Sequence, residues 1–106
     1  MNLAKAIDYT HLSTQAGGDE ALMREVLELF VSHGEQVLEA LSTAPSAKEW
    51  HDHAHSLKGS ARGVGAHAVA DAASCAELSP MDHAVLRRLQ AAFAEARAEI
   101  LPEKPV

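Results

Sequence analysis

Apolar residues recur at spacings of three and four along most of this chain, and glycine or proline interrupts the pattern at only a few points. The spacing predicts amphipathic helices, and it shows none of the alternation that is typical of strands. Alanine is abundant and aromatic residues make up only 4% of the chain, a composition that favours closely packed helices. The 106 residues are enough for one domain with one core.

Capping residues, glycine and proline indicate where the helices begin and end. Asp19 follows two glycines and is a good N-cap, and Ser46 follows a proline and begins a capping box. Gly65 is a C-terminal stop for the second long helix. We predict Ser79 as the N-cap of the last helix, with Pro80 at its first position. The predicted helices cover about residues 19–42, 46–64, 67–78 and 80–101.

Four amphipathic helices with short connections predict an all-α fold, an antiparallel up-down-up-down four-helix bundle. Residues 2–12 are expected to form a short N-terminal helix that caps one end of the bundle. No repeat or linker marks a second domain, so residues 1–106 are assigned to a single domain. The bundle buries its own apolar stripes, which predicts a monomer.

Charge and cysteine content exclude several classes of function. The net charge of −6 argues against nucleic acid or an anionic membrane surface as the main partner. A single cysteine, Cys75, excludes an internal disulfide and a cysteine-based metal cluster. No apolar run approaches the roughly 20 residues of a membrane span, and the N-terminus lacks the apolar region of a secretion signal. We therefore expect a soluble cytoplasmic protein.

The main clue to function is His55-Ser56-Leu57-Lys58-Gly59-Ser60-Ala61 in the second long helix. At about 100° per residue, Lys58 and Gly59 lie one turn from His55 on a face that points away from the core. Gly59 costs about 1 kcal/mol relative to alanine in a helix, and the helical pattern does not require it. An imidazole, a positive charge and a gap on one exposed face are suited to handling a phosphoryl group.

Four further residues are candidates for binding a partner protein. His51 and Arg62 share the face of His55. Leu22 and Leu29 lie at one edge of an apolar surface that spans about 180° of the first long helix, wider than a core-facing stripe. We predict that these two leucines form an exposed patch beside His55, because a transient partner needs a modest apolar area with a polar rim.

The segment around His55 resembles the motif of histidine-containing phosphotransfer (HPt) domains. The family pattern, Ala-His-x-Leu-Lys-Gly-x-Ala followed by a glycine ten residues after the histidine, is present from Ala54 to Ala61 with Gly65. The similarity extends to the Ile7-Asp8 start, the Gly-Gly-Asp-Glu sequence before the first long helix, Phe30 and Trp50. It covers about residues 5–100.

The resemblance implies that the chain is a phosphorelay intermediate. His55 would accept a phosphoryl group from an aspartate on one receiver domain and pass it to an aspartate on another, reversibly and without ATP. Lys58 would offset phosphoryl charge, and Gly59 would leave room for the partner. Many members have glutamine or glutamate 22 residues after the histidine, a position that Glu77 holds here and from which it would orient the ring.

The implied partners are response-regulator receiver domains and a hybrid sensor histidine kinase. Magnesium is expected on the receiver domain, and no cofactor is expected on this chain. The sequence contains no nucleotide-binding motif. The chain is therefore predicted to be a phosphotransfer carrier and not an enzyme.

Two other interpretations remain open. His51, His53 and His55 are closely spaced, and the first and last have the i, i+4 spacing of a two-histidine zinc clamp. No matching pair is evident elsewhere, although His33, His67 or a carboxylate could contribute, so no metal ligand is assigned. The other interpretation is a non-reactive helical adaptor in which the motif is fortuitous.

Overall fold

The computed structural model describes residues 5–102, which contain five α-helices and no strand. The all-helical prediction is therefore confirmed for this part of the chain. Within the same range, no helix has the length and apolar character needed to cross a membrane. The helices are α1 (Tyr9–Gln15), α2 (Glu20–Ser42), α3 (Ala47–Val64), α4 (His67–Leu78) and α5 (His83–Ile100).

The four longer helices pack in a closed ring. Helix α2 contacts α3, α3 contacts α4, α4 contacts α5, and α5 returns to α2, while the short α1 packs on α2 and α3. The core takes side chains from all five helices, and fully burying each large one contributes about 1.5–3 kcal/mol. Its largest fully buried side chains are Trp50, Ile7, Leu12, Leu41, Leu57, Leu89 and Val69.

Helices α3 and α4 approach closely because their facing positions are small. Ala54 and Ala61 of α3 and Ala73 and Ala76 of α4 are each 0% exposed. The indole Nε1 of Trp50 donates a hydrogen bond to the carbonyl oxygen of Ala76 at 2.7 Å, which joins the two helices near the end of α4. This close packing brings α4 side chains within reach of the outer face of α3.

Three predicted capping positions are confirmed. The Asp19 carboxylate accepts a hydrogen bond from the Leu22 backbone N–H at 3.0 Å, and the Ser46 hydroxyl accepts one from the Glu49 N–H at 3.2 Å. Gly65 ends α3 in the left-handed region with φ 79°. An N-cap of this kind stabilises its helix by about 0.5–2 kcal/mol.

The predicted start of the last helix is wrong. Helix α5 begins at His83, and its N-cap is Asp82, whose carboxylate accepts from the N–H groups of Ala84 and Val85. Ser79 is instead the C-cap of α4, and Pro80 lies in the turn. Met81 takes a left-handed conformation with φ 65°, so a helix cannot run through this position.

The N-terminal helix lies later in the chain than predicted. Residues 2–4 of the predicted cap are outside the described residues, and α1 begins at Tyr9 because Asp8 is its N-cap. The Asp8 N–H donates to the carbonyl oxygen of Gly65 at 2.8 Å. This bond holds the start of α1 against the end of α3.

Candidate functional site

The outer face of α3 carries the predicted site because the opposite face of the helix is buried. Trp50, Ala54, Leu57 and Ala61 are all 0% exposed. The side chain of His55, on the other side of the helix, is 63% exposed. The prediction that His55 faces away from the core is confirmed.

Glu77 of α4 brings three side chains of α3 together. One carboxylate oxygen, Oε2, lies 2.8 Å from His55 Nδ1 and 3.2 Å from His51 Nε2. The other, Oε1, lies 2.5 Å from Lys58 Nζ. Only 10% of the Glu77 side chain and 17% of the Lys58 side chain are exposed, so the carboxylate is surrounded by its donors.

These donors keep Glu77 ionised. The hydrogen bond from Lys58, followed by the one from His55, lowers the pKa of Glu77 from 4.5 to about 2. An ionised carboxylate can only accept hydrogen bonds, so the His55 nitrogen that faces it must carry the proton. In the neutral ring the lone pair then lies on Nε2.

The second nitrogen of His55 is unpartnered within the described part of the chain. Among the residues that the structure describes, Nε2 of His55 has no hydrogen-bond partner. A Cβ atom added to Gly59 would meet nothing within 4 Å of residues 5–102. A nitrogen with a free lone pair therefore lies one turn from a position with no side chain, on an exposed surface.

His51 belongs to the same group as Glu77. Its ring is nearly parallel to that of His55, with an interplanar angle of 11° and centroids 6.0 Å apart. Its Nδ1 lies 3.5 Å from the Asp52 carboxylate. The spacing of four residues shows that His51 and His55 share a face, but the contact of both with one carboxylate of α4 was missed in the sequence analysis.

The predicted exposure of the two leucines is confirmed, since Leu22 is 40% and Leu29 is 65% exposed. Leu29 and His33 line a groove of about 260 Å³ between α2 and α3. His33 Nε2 lies 3.1 Å from the hydroxyl of Ser56, the residue next to His55. Leu22 is eleven residues before His33, about 16 Å along the helix, so it lies farther from His55 than Leu29 does.

Two other sequence predictions have less structural support. Arg62 is exposed on α3, and the part of the chain that the structure describes provides no hydrogen bond or ion pair for it. For the zinc interpretation, residues 5–102 contain no group of three or more histidine, cysteine or acidic side chains that could hold a metal ion.

A family model described as "Hpt domain" matches residues 25–99. The chain belongs to the Hpt domain family. The matched range runs from within α2 to the end of α5 and includes His55, Lys58, Gly59 and Glu77. Membership implies histidine phosphotransfer in phosphorelays and interaction with response-regulator receiver domains. No curated protein and no solved structure matches the chain significantly.

Proposed function

We propose that this Hpt domain is a phosphorelay intermediate and that His55 is the residue that carries the phosphoryl group. The observation that supports this most strongly is the 2.8 Å contact between His55 Nδ1 and the ionised Glu77. It leaves the lone pair on Nε2, which has no hydrogen-bond partner in residues 5–102, and Gly59, one turn later, carries no side chain. His55 accepts the group from an aspartate of one receiver domain and returns it to an aspartate of another.

The step balances without an added base. The Nε2 lone pair attacks the phosphorus of the aspartyl phosphate, the N–P bond forms, and the P–O bond breaks with its electron pair leaving on the aspartate carboxylate. The imidazole ring becomes positively charged, and its Nδ1–H bond to Glu77 becomes charge-assisted. Glu77 thus stabilises the charge that develops on the ring. Transfer to the next receiver reverses these bonds.

Lys58 has two roles in this proposal. Its ammonium group offsets the negative charge of Glu77, which would otherwise repel an incoming phosphoryl group. An ammonium has three N–H donors, and those not directed at Glu77 remain for phosphoryl oxygens. Most of the remaining charge stabilisation comes from magnesium and a lysine on the receiver domain, and no nucleotide takes part.

The receiver domain docks on the exposed edge of α2 and the outer face of α3. Leu29 and the groove beside it provide the apolar centre, and Leu22 extends the contact toward the start of α2. Arg62 lies at the polar rim. Apolar area with a polar rim is typical of interfaces that form and dissociate readily.

The ring of helix contacts and the short connections support an antiparallel up-down-up-down arrangement of α2–α5. Residues 1–106 form a single monomeric Hpt domain in the cytoplasm, a carrier and not an enzyme. A hybrid sensor histidine kinase supplies the phosphoryl group through its receiver domain.

The test is incubation of the chain with a receiver domain that carries radiolabelled aspartyl phosphate. An acid-labile, base-stable label should appear on the wild-type chain and on His53→Gln, a matched histidine variant of the same helix. The label should be absent from His55→Gln. A label that survives His55→Gln would contradict the proposal, and a chain that binds receivers without being labelled would instead be an adaptor.

A further inference from the structure

A second imidazole lies against the proposed acceptor. The rings of His51 and His55 are nearly parallel, at 11°, with centroids 6.0 Å apart. This distance is within the 4.5–7 Å range that aromatic rings adopt in offset stacking. His51 therefore lies beside the His55 ring, one turn earlier in α3, in a nearly parallel orientation.

The two imidazoles also contact one carboxylate oxygen. Nε2 of His51 and Nδ1 of His55 both reach Oε2 of Glu77, at 3.2 and 2.8 Å. The His55 ring donates its Nδ1–H to this oxygen, because the ionised carboxylate only accepts, whereas the His51 nitrogen lies in contact with it. With Lys58 on Oε1, three side chains of one helix contact the carboxylate.

His55 needs such restraint because most of its side chain is in contact with solvent. An imidazole that is 63% exposed can rotate about two side-chain bonds, and rotation would remove Nδ1 from Glu77 and turn Nε2 away from the partner. Restraining a reacting group before its partner arrives lowers the entropic part of the barrier. The stacked ring and the fixed carboxylate of Glu77 both supply this restraint.

We propose that His51 is a positioning residue that holds the His55 ring with Nδ1 toward Glu77 and Nε2 toward the receiver domain. This inference rests on the proposed function of His55 and changes the predicted role of His51 from partner contact to internal support. A partner-contact residue would affect only the reaction with a receiver protein. A positioning residue also affects the reaction with a small phosphoryl donor.

Three substitutions in the full chain separate the two contacts. His51→Phe keeps a flat ring without a polar atom, His51→Gln keeps a polar group without a ring, and His51→Ala removes both. His53→Ala is the matched control because His53 has no hydrogen bond or ion pair with Glu77 among the residues that the structure describes. The half-exposed position of His51 makes the variants compatible with folding, which circular dichroism verifies.

Two measurements are made on each variant. Nitrogen-15 NMR of the unphosphorylated chain gives the fraction of His55 with its proton on Nδ1. Labelling gives the rate of phosphorylation by phosphoramidate and the rate of phosphorylation by a phosphorylated receiver. We expect His51→Ala to lower the Nδ1–H fraction and to slow both reactions by about three- to tenfold. His51→Phe and His51→Gln should each recover part of this loss, and His53→Ala should match the wild type.

Three results with His51→Ala would overturn the inference. They are an unchanged Nδ1–H fraction, a slower reaction with the receiver but not with phosphoramidate, and a faster reaction with phosphoramidate. The first two exclude positioning, and the third would show that His51 competes with His55 for Glu77. Failure of the proposed function is a separate result, in which no receiver labels His55 in the wild-type chain. The NMR measurement still decides the positioning role in that case.

Discussion

Gly34 of α2 and Gly59 of α3 both lie inside helices, where glycine costs about 1 kcal/mol relative to alanine. Gly34 is buried, and a Cβ atom there would lie 2.1 Å from Cε1 of Phe93 and 2.6 Å from Cζ. Gly59 is exposed, and its Cβ would meet no atom of residues 5–102 within 4 Å. One glycine has a packing reason inside the molecule, and the other has none.

The contrast separates two regions of the structure. At the α2–α5 interface, the ring of Phe93 occupies the space where a side chain of Gly34 would lie, so this interface is filled by the protein's own residues. On the outer face of α3, the space beside Gly59 is filled by nothing in the described residues, and it lies next to the exposed His55. The open region is consistent with the proposed approach of a receiver domain. Four sets of substitutions test the closed packing and the open face.

Gly34→Ala should have the largest effect on stability. The added methyl group has to displace the Phe93 ring, and overpacking of this kind costs about 1–3 kcal/mol, to be measured by urea unfolding. The phosphotransfer rate per folded molecule should not change. Adding Phe93→Leu should recover part of the loss, since the two positions are in direct contact. Wild-type stability in Gly34→Ala would contradict the closed packing of this interface.

Gly59→Leu should slow transfer from a receiver domain by about tenfold, because a side chain would fill the space one turn from His55. Gly59→Ala should raise the free energy of unfolding by about 0.5–1 kcal/mol through helix propensity. Gly63→Ala is the matched control, since its Cβ also meets nothing within 4 Å of the described chain and it lies a turn farther from His55. Equal transfer rates in Gly59→Leu and the wild type would show that the gap is not required.

Leu29→Glu should weaken docking several-fold, and Leu22→Glu, which lies farther from His55, should weaken it less. Both side chains are exposed, so circular dichroism should show unchanged helical content. Labelling by phosphoramidate should stay at the wild-type rate because His55 is untouched. Met81→Glu is the control, since Met81 is as exposed as Leu22 but lies in the α4–α5 turn. Loss of helical content would mean that the leucines support the core.

Glu77→Gln should lower the free energy of unfolding, and that loss should depend on pH. The pKa of Glu77 is lowered from 4.5 to about 2, first by Lys58 and then by His55. The stabilising contribution is therefore complete above about pH 4.5 and is lost as the pH falls toward 2. Urea unfolding across this range should show the wild type losing its advantage over Glu77→Gln. A difference that is constant with pH would contradict the ion pair with Lys58.

Helix boundaries show what local sequence patterns predict well. The limits of α3 were predicted to within a residue because its caps, Ser46 and Gly65, act on its own end turns. The limits of α4 were also predicted, although its N-cap, Ala66, makes no side-chain hydrogen bond. The start of α5 was missed because Ser79, Pro80 and Asp82 all favour a helix start. Met81 takes a left-handed conformation that local propensity does not predict, and the helix therefore starts after it, with Asp82 as the N-cap.

The sequence by itself determined that His55, Lys58 and Gly59 share an outward face of one helix, because the helical period relates residues a turn apart whatever surrounds them. It also determined the family, because the motif is continuous in the chain. Only the tertiary structure decided that the carboxylate of Glu77 contacts three side chains of α3, those of His51, His55 and Lys58. That contact depends on how closely α4 lies against α3, which is set by the buried small residues between them and not by the spacing along either helix.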